Sequence, residues 1–184
     1  MGNWAHDFYE IQGTVSENSD LRDRILDLVE DDPLHGKALE GDGRTESLRD
    51  ILTELFEGQI GLEESFSAVS MDLPRQESPH AHDNRVFASG WDERLVRTQA
   101  SRFYNQAVLH TLAENGEQKC FIPHSDEEDL ESPCTIRLAD NEAEVNVMLE
   151  RLERTYRQAD YHGKVKIPEH PHCTHTIVPR SEES

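Results

Sequence analysis

The residues with the clearest chemical potential lie together near the end of the chain. Four candidate metal ligands occupy six consecutive positions: His170, His172, Cys173 and His175. Imidazole nitrogen and thiolate sulfur are the donors that zinc prefers, and Cys134 or Cys120 could complete a tetrahedral set from elsewhere in the fold. The paired Cys-x-x-Cys knuckles of a zinc ribbon are missing. The pattern therefore indicates a candidate metal site without fixing its ligands.

The same residues admit three other interpretations. A neighbouring histidine could activate Cys173 or Cys134 as a nucleophile, although the sequence offers no recognisable third, orienting group. A zinc ion with an open position and a bound water would instead indicate a nuclease or hydrolase. The simplest alternative is a small buried cysteine among histidines that only form hydrogen bonds. Because neither a Gly-rich phosphate cradle nor a Gly-x-Ser-x-Gly elbow is present, we do not expect an enzyme.

Charge and composition narrow the functional classes. The 184-residue chain carries a net charge of −20, from 38 acidic and 18 basic residues, and only four of the basic residues are lysines. This charge repels a nucleic-acid backbone, and no basic cluster forms a phosphate-binding stripe, so charge-driven DNA binding is not expected. Abundant carboxylates with few lysines are what we expect of a protein kept soluble in concentrated salt. We therefore expect a halophilic source.

Other sequence features concern location and cysteine chemistry. No run approaches the roughly 20 apolar residues that a membrane span requires, so we expect a soluble protein. The first residues lack the basic and apolar regions of a secretory signal. Three cysteines, an odd number, argue against a disulfide framework. The acidic run 126–129 lacks calcium-loop spacing and is predicted to be a solvated loop.

Two long helices and a small sheet are predicted to position the cysteines and histidines. The first helix covers 91–115, with Gly116 ending it, and the second runs from about 141 to 159. Their inward residues repeat at helical spacing: Val96, Ala100, Phe103 and Ala107 in the first, and Val145, Met148, Leu149, Leu152 and Tyr156 in the second. Segments 118–122, 134–138 and 174–178 are predicted strands. The expected fold class is α+β, with two long helices packed on a small β-sheet.

The first half of the chain is predicted to be an acidic, helical N-terminal extension. Short amphipathic helices are expected at 20–29, capped by Ser19 or Asp20, and at 45–56. The resulting division is an acidic helical region at 1–71, a linker at 72–89, the main domain at 90–179 and a polar tail at 180–184. Because the apolar faces of these helices are small, we expect the first region to be loosely attached and to contact a partner. Its inward residues are Leu48, Ile51, Leu52, Leu55 and Phe56.

The second half of the chain, about residues 90 to 179, resembles a known family. Arg97-Thr98-Gln99 with Asn105 further along the helix is similar to the Arg-Thr-Glu/Gln helix, with its following Asn, of the phage Mu F-like minor head proteins, also called head morphogenesis proteins. The elements that follow keep the family order: Gly116, the strand 119–122, Asp126 in a loop, Cys134, Gly163 and the closing segment 170–179. That segment resembles the family's His-Pro-x-Cys-Arg-Cys motif and apolar-Pro strand, with Thr174 in place of the arginine and His175 in place of the second cysteine.

The resemblance implies a structural virion protein of a tailed virus. Such a minor capsid protein associates with the portal or the capsid interior and assists head assembly or genome delivery. The implied partners are the portal or major capsid protein, with no membrane and no sequence-specific nucleic acid, although the packaged DNA would lie nearby. The implied location is the head or neck of the virion, and the host cytoplasm during assembly. Together with the composition, this suggests a halophilic host.

The resemblance also bears on the candidate site. If the family's Cys/His cluster ties the closing segment to the preceding strand, Cys134, His170, Cys173 and His175 would do so here, with structural zinc as the candidate cofactor. Two functions from other classes stay open on sequence alone. One is a zinc-dependent nuclease or hydrolase that uses the C-terminal His/Cys cluster, and the other is a small regulatory binding module of a halophilic cell.

Overall fold

The computed structural model describes residues 3–161 and 165–182 and has the predicted α+β architecture. The α-helices in these ranges are α1 (Ile11–Glu17), α2 (Ser19–Asp31), α3 (Arg44–Phe56), α4 (Leu62–Asp72), α5 (Trp91–Glu114), α6 (Pro133–Leu138) and α7 (Val145–Arg157). The strands are β1 (Lys119–Ile122), β2 (Asn141–Glu144) and β3 (Val178–Pro179), in the antiparallel order β2-β1-β3. Among the described helices, none combines the length and apolar character needed to cross a bilayer. Gly163 of the family-like order lies outside the described residues.

The long helix α5 forms the centre of the molecule and agrees with its predicted range. Its predicted apolar stripe is buried, with Val96, Phe103 and Ala107 fully inaccessible. Burial extends well beyond the stripe, because α2, α4 and α7 all pack against α5. Polar α5 residues, among them Arg102 and Asn105, are therefore inside the protein and need partners there.

The N-terminal helices are part of the same core, so the expectation of loose attachment is wrong. Leu48, Ile51 and Leu52 are at most 3% exposed and belong to one continuous hydrophobic core with α5. Hydrogen bonds also join the start of the chain to distant elements, since the backbone N–H of Ala5 donates to the Tyr104 hydroxyl at 2.9 Å. The helices α1 and α4, which the sequence analysis did not predict, complete this packing. Residues before 72 thus help to build the fold.

Apart from Asp72, which ends α4, the predicted linker at 72–89 contains turns and a short 3-10 helix but no α-helix or strand. It is nevertheless held firmly against the core, because Leu73 and Phe87 are buried. The Arg44 guanidinium donates hydrogen bonds to the carbonyl oxygens of Pro74 at 2.8 Å and Leu73 at 3.0 Å. The segment therefore joins two halves of one packed body.

Three predictions of secondary structure are wrong between residues 133 and 179. Residues 134–138 form the helix α6 rather than a strand, because the Ser132 hydroxyl accepts the N–H of Thr135 at 3.3 Å and Pro133 occupies the first turn, where no donor is needed. Residues 141–144 form β2 rather than the start of a long helix, and pair with β1. The strand predicted at 174–178 is reduced to β3.

The start of α2 also differs from its prediction. Its cap is Asn18 rather than Ser19 or Asp20, because the Asn18 side chain accepts the N–H of Leu21 at 3.1 Å. The helix α7 begins later than predicted but buries the expected face, including Val145, Met148 and Leu152. Together α5, α7 and the small sheet hold the C-terminal segment in place.

Candidate metal centre

The closing segment, residues 170–179, is attached to α5 by Asn105. The Asn105 side-chain oxygen accepts the backbone N–H of Ile177 at 2.8 Å, and its amide nitrogen donates to the Ser101 carbonyl at 2.9 Å. Asn105 and Ile177 are both completely buried. One side chain therefore satisfies a backbone donor that would otherwise be buried without a partner.

A second attachment comes from Arg97, about two turns before Asn105 on α5. Its guanidinium donates to the backbone carbonyl of His172 at 3.2 Å and to the Tyr9 hydroxyl at 3.2 Å. The same group lies over the Phe8 ring at 4.9 Å from the centroid. Arg97 thus joins α5, the N-terminal segment and the closing segment at one point.

A third attachment comes from Glu128, a residue that the sequence analysis did not single out. One oxygen of Glu128 accepts both the backbone N–H of Thr174 at 3.0 Å and its hydroxyl at 3.1 Å. Burial raises the pKa of Glu128, but the two hydrogen bonds from Thr174 and one from the Cys134 thiol outweigh it, so the pKa lies below its usual value. The resemblance pointed to Asp126 in this loop, whereas Asp126 is exposed.

Three of the four predicted ligands meet in the interior. Cys134, at the start of α6, lies beside Cys173 and His175 of the closing segment, and one ligand atom from each residue lies within 4.8 Å of the others. The Cys173 sulfur is 3.7 Å from His175 Nδ1. All three side chains are at most 1% exposed. We call these three residues the buried trio.

The fourth predicted ligand, His170, belongs to a second group that shares Cys134 with the buried trio. His170, Cys134 and Glu128 also have ligand atoms within 4.8 Å of one another. The His170 Nδ1 atom accepts the backbone N–H of His172 at 3.2 Å. Cys134 is therefore shared by the buried trio and by this second, less buried group.

Two other candidate ligands belong to neither group within the described ranges. The His172 side chain is about half exposed and lies 3.9 Å from Glu93. The Cys120 thiol in β1 donates to the Ala143 carbonyl at 3.5 Å. Of the two cysteines that could have completed the set, the fold therefore brings Cys134 to the closing segment and leaves Cys120 in the sheet.

One polar atom of the buried trio lacks a hydrogen-bond partner. Burial raises the pKa of the Cys173 thiol to about 12 and lowers the pKa of His175, so both groups favour their neutral forms. Within the described residues, His175 Nε2 has no hydrogen-bond partner. An unsatisfied buried polar atom costs about 1–3 kcal/mol. Such an atom beside two thiols calls for an explanation.

The distances in the trio fit a tetrahedral zinc ion. Zinc bound to sulfur at about 2.3 Å and to nitrogen at about 2.0 Å would place sulfur and nitrogen about 3.5 Å apart and two sulfurs about 3.8 Å apart. The observed distance from Cys173 Sγ to His175 Nδ1 is 3.7 Å, and every pair is within 4.8 Å. The donor types and their spacing therefore suit zinc after small shifts.

Comparison of the chain with models of known protein families, with curated proteins and with solved structures finds no match. The site must therefore be interpreted from its own geometry. That geometry is a closing segment held at three points, with a cluster of cysteine and histidine donors enclosed beneath it.

Proposed function

We propose that the chain is a structural protein of the virion of a tailed virus that infects a halophilic host. In this role it is a minor capsid or head morphogenesis protein, located at the portal or the capsid interior, that assists head assembly or genome delivery. The observation that carries the proposal is the contact between the two family-like motifs. Arg97 of the helix motif donates to the backbone carbonyl of His172, and Asn105 of the same motif accepts the backbone N–H of Ile177.

The burial of these residues favours a structural role over catalysis. A hydrolytic zinc site keeps an open position that substrate and water can reach, whereas the trio of Cys134, Cys173 and His175 is enclosed. A nucleophilic cysteine needs a lowered pKa, whereas burial raises that of Cys173 to about 12. Both observations argue against the hydrolase and the Cys/His nucleophile.

Contacts with the portal or major capsid protein must use surfaces other than those first expected. The apolar residues predicted to face a partner, such as Leu48 and Leu55, are buried within the chain. The exposed residues Leu130 and Ile136 lie on either side of Cys134 in sequence, with 75% and 70% of their surface accessible. In concentrated salt, charge attraction is screened, so exposed apolar side chains such as these are the better candidates for partner contact.

The proposal is tested by fractionating virus particles and locating the chain. It should band with the capsid in few copies, with its density at the portal or the inner capsid surface. Absence from particles would overturn the proposal, and a gene neighbourhood without portal and capsid genes would favour a small binding module instead.

A variant pair tests the contact surface in the full-length chain. Ile136→Ser should reduce the amount of the chain in particles, whereas Val147→Ser, at a less exposed position on α7, should not. Equal incorporation of both variants would contradict the contact at Ile136. Deletion of residues 1–85 is not a suitable test, because it would remove much of the hydrophobic core.

A further inference from the structure

We infer that Cys134, Cys173, His175 and His170 bind one zinc ion as a closed structural site. This inference does not rest on the proposed virion role, because three ligands follow from their donor types and distances and the fourth follows from charge balance. The site would fasten the closing segment to the start of α6, two parts of the chain that are distant in sequence.

The first step concerns the three ligands of the buried trio. Two sulfurs and an imidazole within 4.8 Å of one another form a soft donor set that suits zinc and disfavours magnesium or calcium. The His175 ring is fully buried, and its Nδ1 atom lies 3.7 Å from the Cys173 sulfur. Nδ1 is therefore the nitrogen that would bind the ion, and Nε2, which has no partner among the described residues, would keep its proton.

The second step concerns the fourth ligand, for which His170 and Glu128 compete. Two thiolates and two neutral imidazoles balance the charge of the zinc ion, whereas a carboxylate in place of His170 would leave a net negative charge in a largely buried site. His170 shares only Cys134 with the trio, so ligation requires its ring to move toward Cys173 and His175 and to give up the hydrogen bond from the His172 N–H. That bond lies at the surface, where water can replace it. The charge balance therefore favours His170.

The third step gives Glu128 a positioning role. Its oxygen holds the backbone N–H and the hydroxyl of Thr174, the residue between the ligands Cys173 and His175. Fixing Thr174 sets the direction of both neighbouring side chains. Glu128 thus orients two ligands without binding the ion itself.

Ion binding is balanced by release of protons. The two thiols of Cys134 and Cys173 each lose one proton to solvent as their sulfurs bind the zinc ion, and both histidines bind as neutral imidazoles. No oxidation or reduction takes place. The reaction needs only free zinc and water as the proton acceptor.

Metal content and spectroscopy of the full-length chain test the site directly. Purified under reducing conditions and supplied with zinc, the chain should hold one zinc per molecule by elemental analysis and native mass spectrometry. Cobalt in place of zinc should give the visible absorption of a tetrahedral ion and a thiolate charge-transfer band. Because these spectra come from the unaltered chain, they stand even where a variant fails to fold.

Substitutions separate the ligands from their neighbours. Cys173→Ser, His175→Asn and His170→Asn should each weaken zinc affinity by more than about 100-fold, because each removes a direct ligand. Glu128→Gln should weaken it by about tenfold, at the low end of the range for residues that orient ligands, because glutamine keeps an acceptor for Thr174. Cys120→Ser is the matched control, since Cys120 is also a buried cysteine but bonds to Ala143 in the sheet, and its zinc affinity should be unchanged.

Three outcomes would overturn the inference. A folded, unaltered chain that binds no zinc would show that there is no zinc site. A disulfide between Cys134 and Cys173 that persists under reducing conditions would show the same. A large loss of zinc affinity in Glu128→Gln, with none in His170→Asn, would mean that Glu128 and not His170 is the fourth ligand. Each outcome is distinguishable from failure of the virion proposal, which is judged by presence in particles.

Discussion

Two buried polar regions lie beside the central helix α5, and their polar groups are satisfied in different ways. In the first, which we call the Asp32 network, the Asp32 carboxylate is completely buried. One of its oxygens accepts from Arg102 and from Gln106, both at 2.9 Å, and the other accepts from Arg157 at 3.0 Å. The protein itself therefore supplies a donor to each oxygen of this carboxylate.

The second region is the buried trio of Cys134, Cys173 and His175. Its residues are buried to the same degree, but burial raises the pKa of the Cys173 thiol and lowers the pKa of His175, so these two groups favour their neutral forms, and His175 Nε2 has no partner among the described residues. Burial alone thus does not indicate a site. Arg102 Nε in the Asp32 network also has no partner among the described residues, so an unpaired nitrogen alone does not separate the two regions either. The informative difference is that the Asp32 network pairs opposite charges, whereas the trio brings two thiols and an imidazole within 4.8 Å of one another.

The largest loss of unfolding free energy is expected when Asp32 alone is replaced in the Asp32 network. Asp32→Ala leaves the Arg102 guanidinium buried without its counter-ion, and burial already lowers the pKa of Arg102 to about 10. The variant should lose about 3–5 kcal/mol of unfolding free energy. Chemical denaturation measures this loss, and the exposed neighbour variant Asp31→Ala should change it by less than about 0.5 kcal/mol.

Replacing both charges sharpens the same comparison. Asp32→Leu combined with Arg102→Met removes the pair together and leaves no single buried charge of that pair behind. Much of the loss should be recovered relative to Asp32→Ala, because well-packed apolar side chains often replace a buried ion pair without cost. A double variant as unstable as Asp32→Ala would mean that Gln106 and Arg157 depend on Asp32 more than Arg102 does.

An intermediate effect is expected at Asn105, where the chain attaches the closing segment to α5. Asn105→Ala removes the acceptor of the buried Ile177 N–H and should cost about 1–3 kcal/mol. Hydrogen exchange should show faster exchange at Ile177. Asn146→Ala, on an exposed position of α7, is the matched control and should leave both measurements nearly unchanged.

The smallest effect is expected at Glu128, beside the trio. Glu128→Gln keeps an oxygen that accepts from Thr174 but loses the charge that strengthens both bonds, so unfolding free energy should fall by about 1 kcal/mol or less. Denaturation of this variant is compared with that of Glu127→Gln, whose side chain is exposed. A loss above about 3 kcal/mol would mean that Glu128 belongs to the core of the site.

Periodic apolar patterns along the sequence predicted part of the fold well. The apolar stripe of α5 was readable because Val96, Phe103 and Ala107 recur at helical spacing over many turns. Strand β2 was not readable, because it pairs with β1 through the backbone and its four residues are exposed or only partly buried, so no alternation marks it. The segment 134–138 alternates like a strand, but Ser132 and Pro133 begin a helix there.

In the candidate site, residues close in sequence were also easier to identify than residues that only the fold brings together. His170, Cys173 and His175 are close in sequence, and their residue types alone indicated metal chemistry. Cys134 meets them only through the packing of α6, and was selected over Cys120 by the family resemblance. Glu128 stands in an acidic run whose composition is typical of a solvated loop, so nothing local distinguished it from its neighbours.

Unfolding in the presence of zinc or of a chelator tests the difference between the two regions most directly. Zinc at about 1,000 times its dissociation constant should stabilise the unaltered chain by about 4 kcal/mol relative to the chelated form. At the same zinc concentration Cys173→Ser should gain about 1.4 kcal/mol or less, because its affinity is more than about 100-fold weaker, whereas Cys120→Ser and Asp32→Ala should show the full difference from their own baselines. An unaltered chain that unfolds identically with zinc and with chelator would contradict the account, because the trio would then hold no zinc ion.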